Sequence, residues 1–298
     1  MTHSSTNCRR PKTNNMFVVQ LLLSFVLLSV CDCGLPYGYH KDVGIKQAAY
    51  LMQNERMGRI IGGSQVSNIV EYPYQAGIIA TLTNGATSIC GGSLVSNTRV
   101  LTAAHCWWDG QSQARSFTVV LGSLRIFSGG TRLTSTSVVV HPSWNIKDIT
   151  HDIAVVRIDR VQFNNNIQAI SLPAMSDVNN AFAGVTATAT GYGKTSDAQT
   201  SFPQTTSLHH VNLKVLTNAV CQRSFSDVPI HGSHLCTDGS TRVGTCEGDS
   251  GGPLTAVVNR QRILIGIVSF GLGDSCQRGT PSVYTRVTSF LTWINAQL

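Results

Sequence analysis

The chain reads as an antiparallel all-β protein. Short runs rich in β-branched residues recur between turn signals, 27 glycines punctuate the chain, and long helical periodicities are scarce. The runs that predict strands are 76–82, 117–121, 136–140, 153–158, 185–190, 210–216 and 263–270. Near the end the pattern changes. Phe290, Leu291, Trp293, Ile294 and Leu298 recur at helical spacing and predict a short C-terminal helix packed on the body of the protein. A length of 298 residues suits one large or two small domains, and no internal repeat or low-complexity tract breaks it up.

The N-terminal region has its own logic. Residues 17–30 are an apolar stretch interrupted by Gln20 and Ser24, shorter than the roughly 20 residues of a membrane span. Arg9, Arg10 and Lys12 precede it, and the small residues Ser29, Cys31, Cys33 and Gly34 follow. This predicts a secretory signal peptide over 1–33, cleaved near Cys33, with initiation at Met16 as a variant start. An uncleaved signal anchor is the alternative. Of the nine cysteines, Cys8, Cys31 and Cys33 fall in this leader. The remaining six are Cys90, Cys106, Cys221, Cys236, Cys246 and Cys276. An even set in a secreted chain implies disulfides, with the pairing left open by sequence.

Chemistry concentrates in Cys246-Glu247-Gly248-Asp249-Ser250-Gly251-Gly252-Pro253. Glycines around a serine allow a tight turn that brings N–H groups close to a reacting oxygen. A serine hydroxyl is a weak nucleophile alone and needs a base. Leu101-Thr102-Ala103-Ala104-His105-Cys106 offers a histidine beside a cysteine that could clamp it. His151-Asp152-Ile153-Ala154-Val155-Val156 offers a carboxylate leading into a strand. Alone, His105 or Asp152 would be structural. With Ser250 they form a nucleophile, a base and an orienting acid. His151 should face away from Asp152 by strand alternation and lie at the surface. The other histidines, including His209 and His210, show no ligand spacing and are read as solvated.

The order His105, Asp152, Ser250 is that of the chymotrypsin-type triad. With Ile60-Ile61-Gly62-Gly63 and Ser269-Phe270-Gly271, the chain resembles secreted serine proteases of the chymotrypsin/trypsin family from about Ile60 to its end, closest in pattern to insect digestive chymotrypsin-like enzymes. The resemblance implies two six-stranded antiparallel β-barrels with the active site in the cleft between them. It also implies disulfides Cys90–Cys106, Cys221–Cys236 and Cys246–Cys276. Gly248 and Ser250 N–H groups would form the oxyanion hole, and an acyl-enzyme on Ser250 would be hydrolysed by water without a cofactor or metal. Arg59-Ile60 resembles the family's activation junction. Cleavage there would free an ammonium on Ile60 to pair with Asp249, which makes 34–59 an activation propeptide and 60–298 the protease domain. No cysteine in 34–59 could tether it after the cut.

The same alignment assigns the specificity pocket to Gly244, Thr245, Gly271 and Ser282. Gly244 stands where trypsin-like relatives carry an aspartate, so the pocket is neutral, open and apolar. It should prefer Phe, Tyr, Leu or Met before the cleaved bond; an elastase- or collagenase-like breadth is the alternative. Glu247 sits at the rim, where a solvated charge selects weakly. Such an enzyme would not cut well after its own Arg59, so a trypsin-like activating protease is implied.

Other partners follow from charge and from what is lacking. From Ile60 onward there are 15 Lys+Arg and 12 Asp+Glu, a net +3, with no basic stripe interleaved with aromatics. Nucleic-acid binding is unsupported. Lys147, Lys194 and Lys214 are the only lysines in that stretch, a hint of an alkaline environment such as a gut lumen. No Asp or Glu lies between Asp109 and Asp148, which argues against a calcium loop near 122–133. Pro281 replaces the aromatic residue of sodium-activated relatives. The expected partners are protein and peptide substrates, an activator and protein protease inhibitors. A secreted monomer, free of the membrane once its signal is removed, is expected. A catalytically silent protease-like binding protein is the competing class, disfavoured because His105, Asp152 and Ser250 are all present.

Overall fold

The computed structural model describes residues 36–54, 64–194, 207–272 and 276–298. The leader, Arg59 and Ile60 lie outside the described residues. Two curled antiparallel sheets make up the protein. The first contains β2 (Gln75–Leu82), β3 (Thr87–Ser96), β4 (Arg99–Thr102), β5 (Ala114–Leu121), β6 (Thr131–Ser135), β7 (Val138–Val140) and β8 (Ala154–Arg157). Its order is β6-β5-β2-β3-β4-β8-β7. Only Thr136 and Ser137 separate the two edge strands, so one bent stretch of chain runs along both ends and the sheet curls round on itself. Across the bend, Arg157 N–H donates to the Ser137 carbonyl at 2.9 Å.

The second sheet contains β1 (Ser64–Gln65), β9 (Thr186–Gly191), β10 (His209–Leu216), β11 (His234–Thr237), β12 (Pro253–Val258), β13 (Gln261–Phe270) and β14 (Ser282–Arg286). The order β10-β11-β14-β13-β12-β9, with β9 pairing back onto β10, closes a six-stranded barrel, and β1 hangs on β10. Leu213, Val215, Leu254, Ile265 and Tyr284 pack inside it. Leu94, Leu101, Phe117, Leu121 and Val155 fill the first. Burying such side chains is worth about 1.5–3 kcal/mol each, which drives the curling.

Six of the expected strands fall on β2, β5, β8, β9, β10 and β13. The run 136–140 holds β7, preceded by the bend. Strand β3 was hidden by Gly91-Gly92, which look like a turn in sequence. They are there because the barrels meet on bare backbone: a Cβ on Gly91 would lie 2.7 Å from Gly252 Cα. The C-terminal helix is shorter than the apolar spacing suggests. A 3-10 turn Val287–Phe290 leads into α2 (Leu291–Asn295), which buries Leu291 and Ile294. Leu298 lies beyond its end and is exposed.

Residues 36–54 belong to the stretch read from sequence only as propeptide, with no secondary structure assigned. They form a π-helical turn, His40–Gly44, running into α1 (Ile45–Asn54). Tyr39, His40, Gln47, Ala48, Tyr50 and Leu51 of this segment are buried. Tyr39, Ala48, Tyr50 and Leu51 join the core cluster of the first sheet.

Candidate active site

A 3-10 turn, Ala104–Cys106, follows β4 and carries His105, while the Cys90–Cys106 disulfide staples that turn to β3. The other disulfides join Cys221 to Cys236 and Cys246 to Cys276. Asp152 enters just ahead of β8, steered by left-handed backbone at Ile149 (φ 51°) and His151 (φ 60°), a conformation costly for residues with a Cβ. Its carboxylate is buried and well supplied with donors. His105 N–H donates to Oδ1 at 2.9 Å, and His105 Nδ1 lies 2.8 Å from Oδ2. The Ser269 hydroxyl donates to Oδ2 at 2.6 Å, and the Thr285 hydroxyl donates to the Asp152 carbonyl at 2.7 Å. Ser269 and Thr285 belong to the second barrel, so the acid is fixed from both sides of the cleft. A carboxylate at Nδ1 keeps the proton there and leaves Nε2 free to accept one.

Ser250 lies between two residues of left-handed turn geometry nearby, Gly248 (φ 93°) and Gly251 (φ 79°). A Cβ on Gly251 would fall 2.2 Å from the Thr102 hydroxyl, so only glycine fits. Gly91 N–H donates to the Ser250 carbonyl at 2.7 Å, which ties the nucleophile's loop to the barrel that carries His105. Asp249 is buried and turned inward. Gly193 N–H donates to its Oδ1 at 2.8 Å and Cys246 N–H to its Oδ2 at 2.9 Å. Burial pushes its pKa up to about 6, against the pull of those two amides. Beside it opens a small cavity of about 40 Å³, partly continuous with solvent and lined by Thr190, Gly191, His209, His210, Gly244 and Asp249.

The residues assigned to specificity also converge. Thr245 N–H donates to the Ser282 hydroxyl at 3.3 Å, and a Cβ on Gly244 would sit 2.8 Å from that same oxygen. A Cβ on Gly271 would meet nothing within 4 Å. Glu247 is ion-paired with Lys194. Its charge is thus answered inside the protein, which weakens any pull on a basic substrate.

Several histidines depart from expectation. His151 is not a solvated strand residue: β8 begins only at Ala154, and the left-handed turn stacks its ring on His141 with centroids 4.8 Å apart and Phe290 alongside. His209 is buried with Nδ1 2.7 Å from the Ser207 carbonyl, and His210 packs on Tyr72. His40 and His234 are buried as well, the latter with Nε2 2.8 Å from the Ile149 carbonyl. Isolated polar residues carry no periodicity, so their burial could not be read in advance. Cys90, His105 and Cys106 cluster closely enough to suggest a metal site, but the two sulfurs are bonded to each other and His105 is committed to Asp152.

A protein-family model described as Trypsin matches residues 60–294. The chain belongs to the trypsin family. Among its relatives is a collagenase of Hypoderma lineatum, 36% identical over 239 residues that make up 80% of this chain and 87% of that protein. Brachyurin of Leptuca pugilator is 37% identical over 80% of this chain and 98% of its own, and chymotrypsin of Phaedon cochleariae 36% identical over 74% and 76%. A solved structure of HL collagenase superposes with a TM-score of 0.72 at 35% identity, covering 80% of this chain and 98% of that one. The trypsin-family protein described here is a serine endopeptidase with the all-β two-barrel fold, acting on protein substrates. Two contributors escaped the sequence reading. Ser269, noted only as part of a motif, bonds Asp152, and Tyr39 packs on His105 with ring centroids 4.8 Å apart.

Proposed function

We propose that the protein is the secreted zymogen of an endopeptidase that cleaves after Phe, Tyr, Leu or Met. Residues 1–33 serve as signal peptide, 34–59 as propeptide and 60–298 as protease domain. The observation that carries the specificity is the pocket floor, where Gly244 faces the hydroxyl of Ser282 and brings no carboxylate. An apolar side chain buried there gains about 1.5–3 kcal/mol, whereas an Arg or Lys would lose hydration without a counter-charge.

In the proposed reaction His105 Nε2 removes the Ser250 proton as Oγ attacks the scissile carbonyl. Asp152 stabilises the imidazolium, and the N–H groups of Gly248 and Ser250 receive the oxyanion. His105 then protonates the leaving amine, and water releases the acyl group. Activation follows from the cavity beside Asp249. Strand β1 anchors Ser64 against His210, and Ile60 precedes Ser64 by four residues, a reach of about 13 Å at most. An ammonium delivered to that cavity would ionise and pair Asp249.

A collagenase-like breadth is the second reading, favoured by the relatives that bear that name. A panel of chromogenic peptides with the protein cut after Arg59 separates the two. A rate after Phe at least tenfold above Arg and Ala supports the first; comparable rates after all of them support the second. Ser250→Ala abolishes both hydrolysis and labelling by a serine-directed phosphonate, and retained labelling would place the nucleophile elsewhere.

A further inference from the structure

Residues 36–54 lie across the catalytic groups themselves. Gly38 N–H donates to the Asp109 carbonyl at 3.0 Å, and His40 N–H donates to Asp109 Oδ2 at 2.7 Å. His40 Nδ1 meets the Ser88 hydroxyl at 2.8 Å. Between these anchors Tyr39 drops into the cleft. Its ring lies edge-on to the His105 imidazole, and its hydroxyl donates to the Ile89 carbonyl at 2.7 Å. The Ser250 side chain lies beside the same phenol and is one of the groups acting on its ionisation. His105 Nε2, the atom that should receive the Ser250 proton, is buried and has no hydrogen-bond partner among the described residues. Two turns further on, Gln47 covers the loop of the oxyanion donors, its Cγ 3.0 Å from where a Cβ on Gly248 would be.

The fit is close on both surfaces. Gly44 of the segment presses on Ser88, where a Cβ would come within 1.9 Å of the hydroxyl oxygen. Ala48 and Leu51, one turn apart on α1, are fully buried against the first sheet. His40 enters uncharged, since burial pushes its pKa down to about 4, with Asp109 pulling it up and His105 pushing it further down.

We infer that the segment 36–54 is a built-in inhibitor of the active-site cleft, held by Tyr39 on His105 and Ser250 and by Gln47 over Gly248. This rests on the reading of 34–59 as a propeptide and adds a second latch to it. Cutting after Arg59 frees the ammonium of Ile60, yet the cleft stays filled until the segment leaves. Tyr39 occupies the space where the scissile carbonyl and its leaving amine must sit, so substrate and segment exclude each other. With no cysteine in 34–59, the released piece is held by noncovalent contacts alone.

The test uses the full secreted chain cut quantitatively after Arg59, beside Gly44→Leu, which puts a side chain into Ser88 and changes nothing in the protease domain. In the wild type the 34–59 piece co-elutes with the protease on size exclusion at about 10 μM. Its specific activity then rises roughly tenfold on dilution to about 10 nM, as a dissociation constant near 0.1 μM requires. In Gly44→Leu the piece elutes separately, and the activity per molecule is the same at both concentrations. A wild-type piece that separates at once, with activity independent of concentration, overturns the inference. Absence of hydrolysis at every concentration in both proteins would instead remove the activation reading, while co-elution still decides this one.

Discussion

Two buried aspartates, one just ahead of β8 and one beside Ser250, are treated in opposite ways. Asp152 receives two bonds from His105, one from the Ser269 hydroxyl and, on its carbonyl, one from Thr285. Asp249 receives two backbone amides and sits beside a cavity, with its pKa raised to about 6. The first site is complete as it stands. The second is a charge site with half its compensation, which is what a switch requires: a buried carboxylate short of partners gains most from a cation that arrives later. On the proposed roles, the acid that orients the base is built to stay, and the acid beside the nucleophile is built to change.

Exchanging each carboxylate for an amide puts that contrast to its hardest test. Asp152→Asn should lower kcat of the cut enzyme by about 10⁴, because an amide that donates to Nδ1 holds the wrong imidazole tautomer. Asp249→Asn should lower it by roughly 10²–10³ through loss of the oxyanion geometry at Gly248. Equal losses from both substitutions, measured as kcat on one peptide, would erase the distinction. A milder probe is Ser269→Ala. It removes a hydrogen bond to a charged group worth about 1.5–3 kcal/mol, so Tm should fall by roughly 3–12 °C, and kcat/KM should fall as well because Asp152 loses one of the two side chains that position it. No change in kcat/KM would mean that His105 alone positions Asp152.

The smallest effect is thermal and concerns Asp249 alone. In the uncut chain its pKa lies above the ordinary carboxylate value, so the stability it contributes is full below about 3.8 and is lost as pH rises through about 6. An ammonium partner in the cut enzyme favours the ionised form and restores that loss at neutral pH. The difference in Tm between cut and uncut protein should therefore widen from pH 5 to pH 7.5, by roughly 3–8 °C. The gap should be independent of pH in Asp249→Asn. A wild-type gap that narrows over that range would show that Asp249 is not the partner.

Much of this arrangement was legible in the residues. The motifs around His105, Asp152 and Ser250 stand out because the neighbours that a base, an acid and a nucleophile would need are local in sequence, and the structure brings His105 and Asp152 together. Strands such as β2 and β13 were visible as apolar runs bounded by turns. Gly91-Gly92 in β3 concealed a strand because their reason for being glycine lies in the other barrel. Ser269 and Thr285 bond Asp152 across 117 and 133 residues of sequence, and no local pattern marks a hydroxyl for that duty. The turn at His40 and the helix after it were harder to read because their buried face, Gly44, Gln47, Ala48 and Leu51, keeps helical spacing but mixes a glycine and a glutamine with two apolar residues.

The seam at Gly91 and Gly252 has one more implication. His105 comes from one barrel and Ser250 from the other, and the barrels touch there main chain to main chain, locked by Gly91 N–H on the Ser250 carbonyl. The gap between base and nucleophile is therefore gauged by peptide units, which every sequence shares, and not by side chains, which drift. Both cores can be repacked residue by residue over long divergence without moving the reacting atoms apart. A scaffold shared with a relative at 35% identity therefore needs little at this seam beyond a glycine on each side of it.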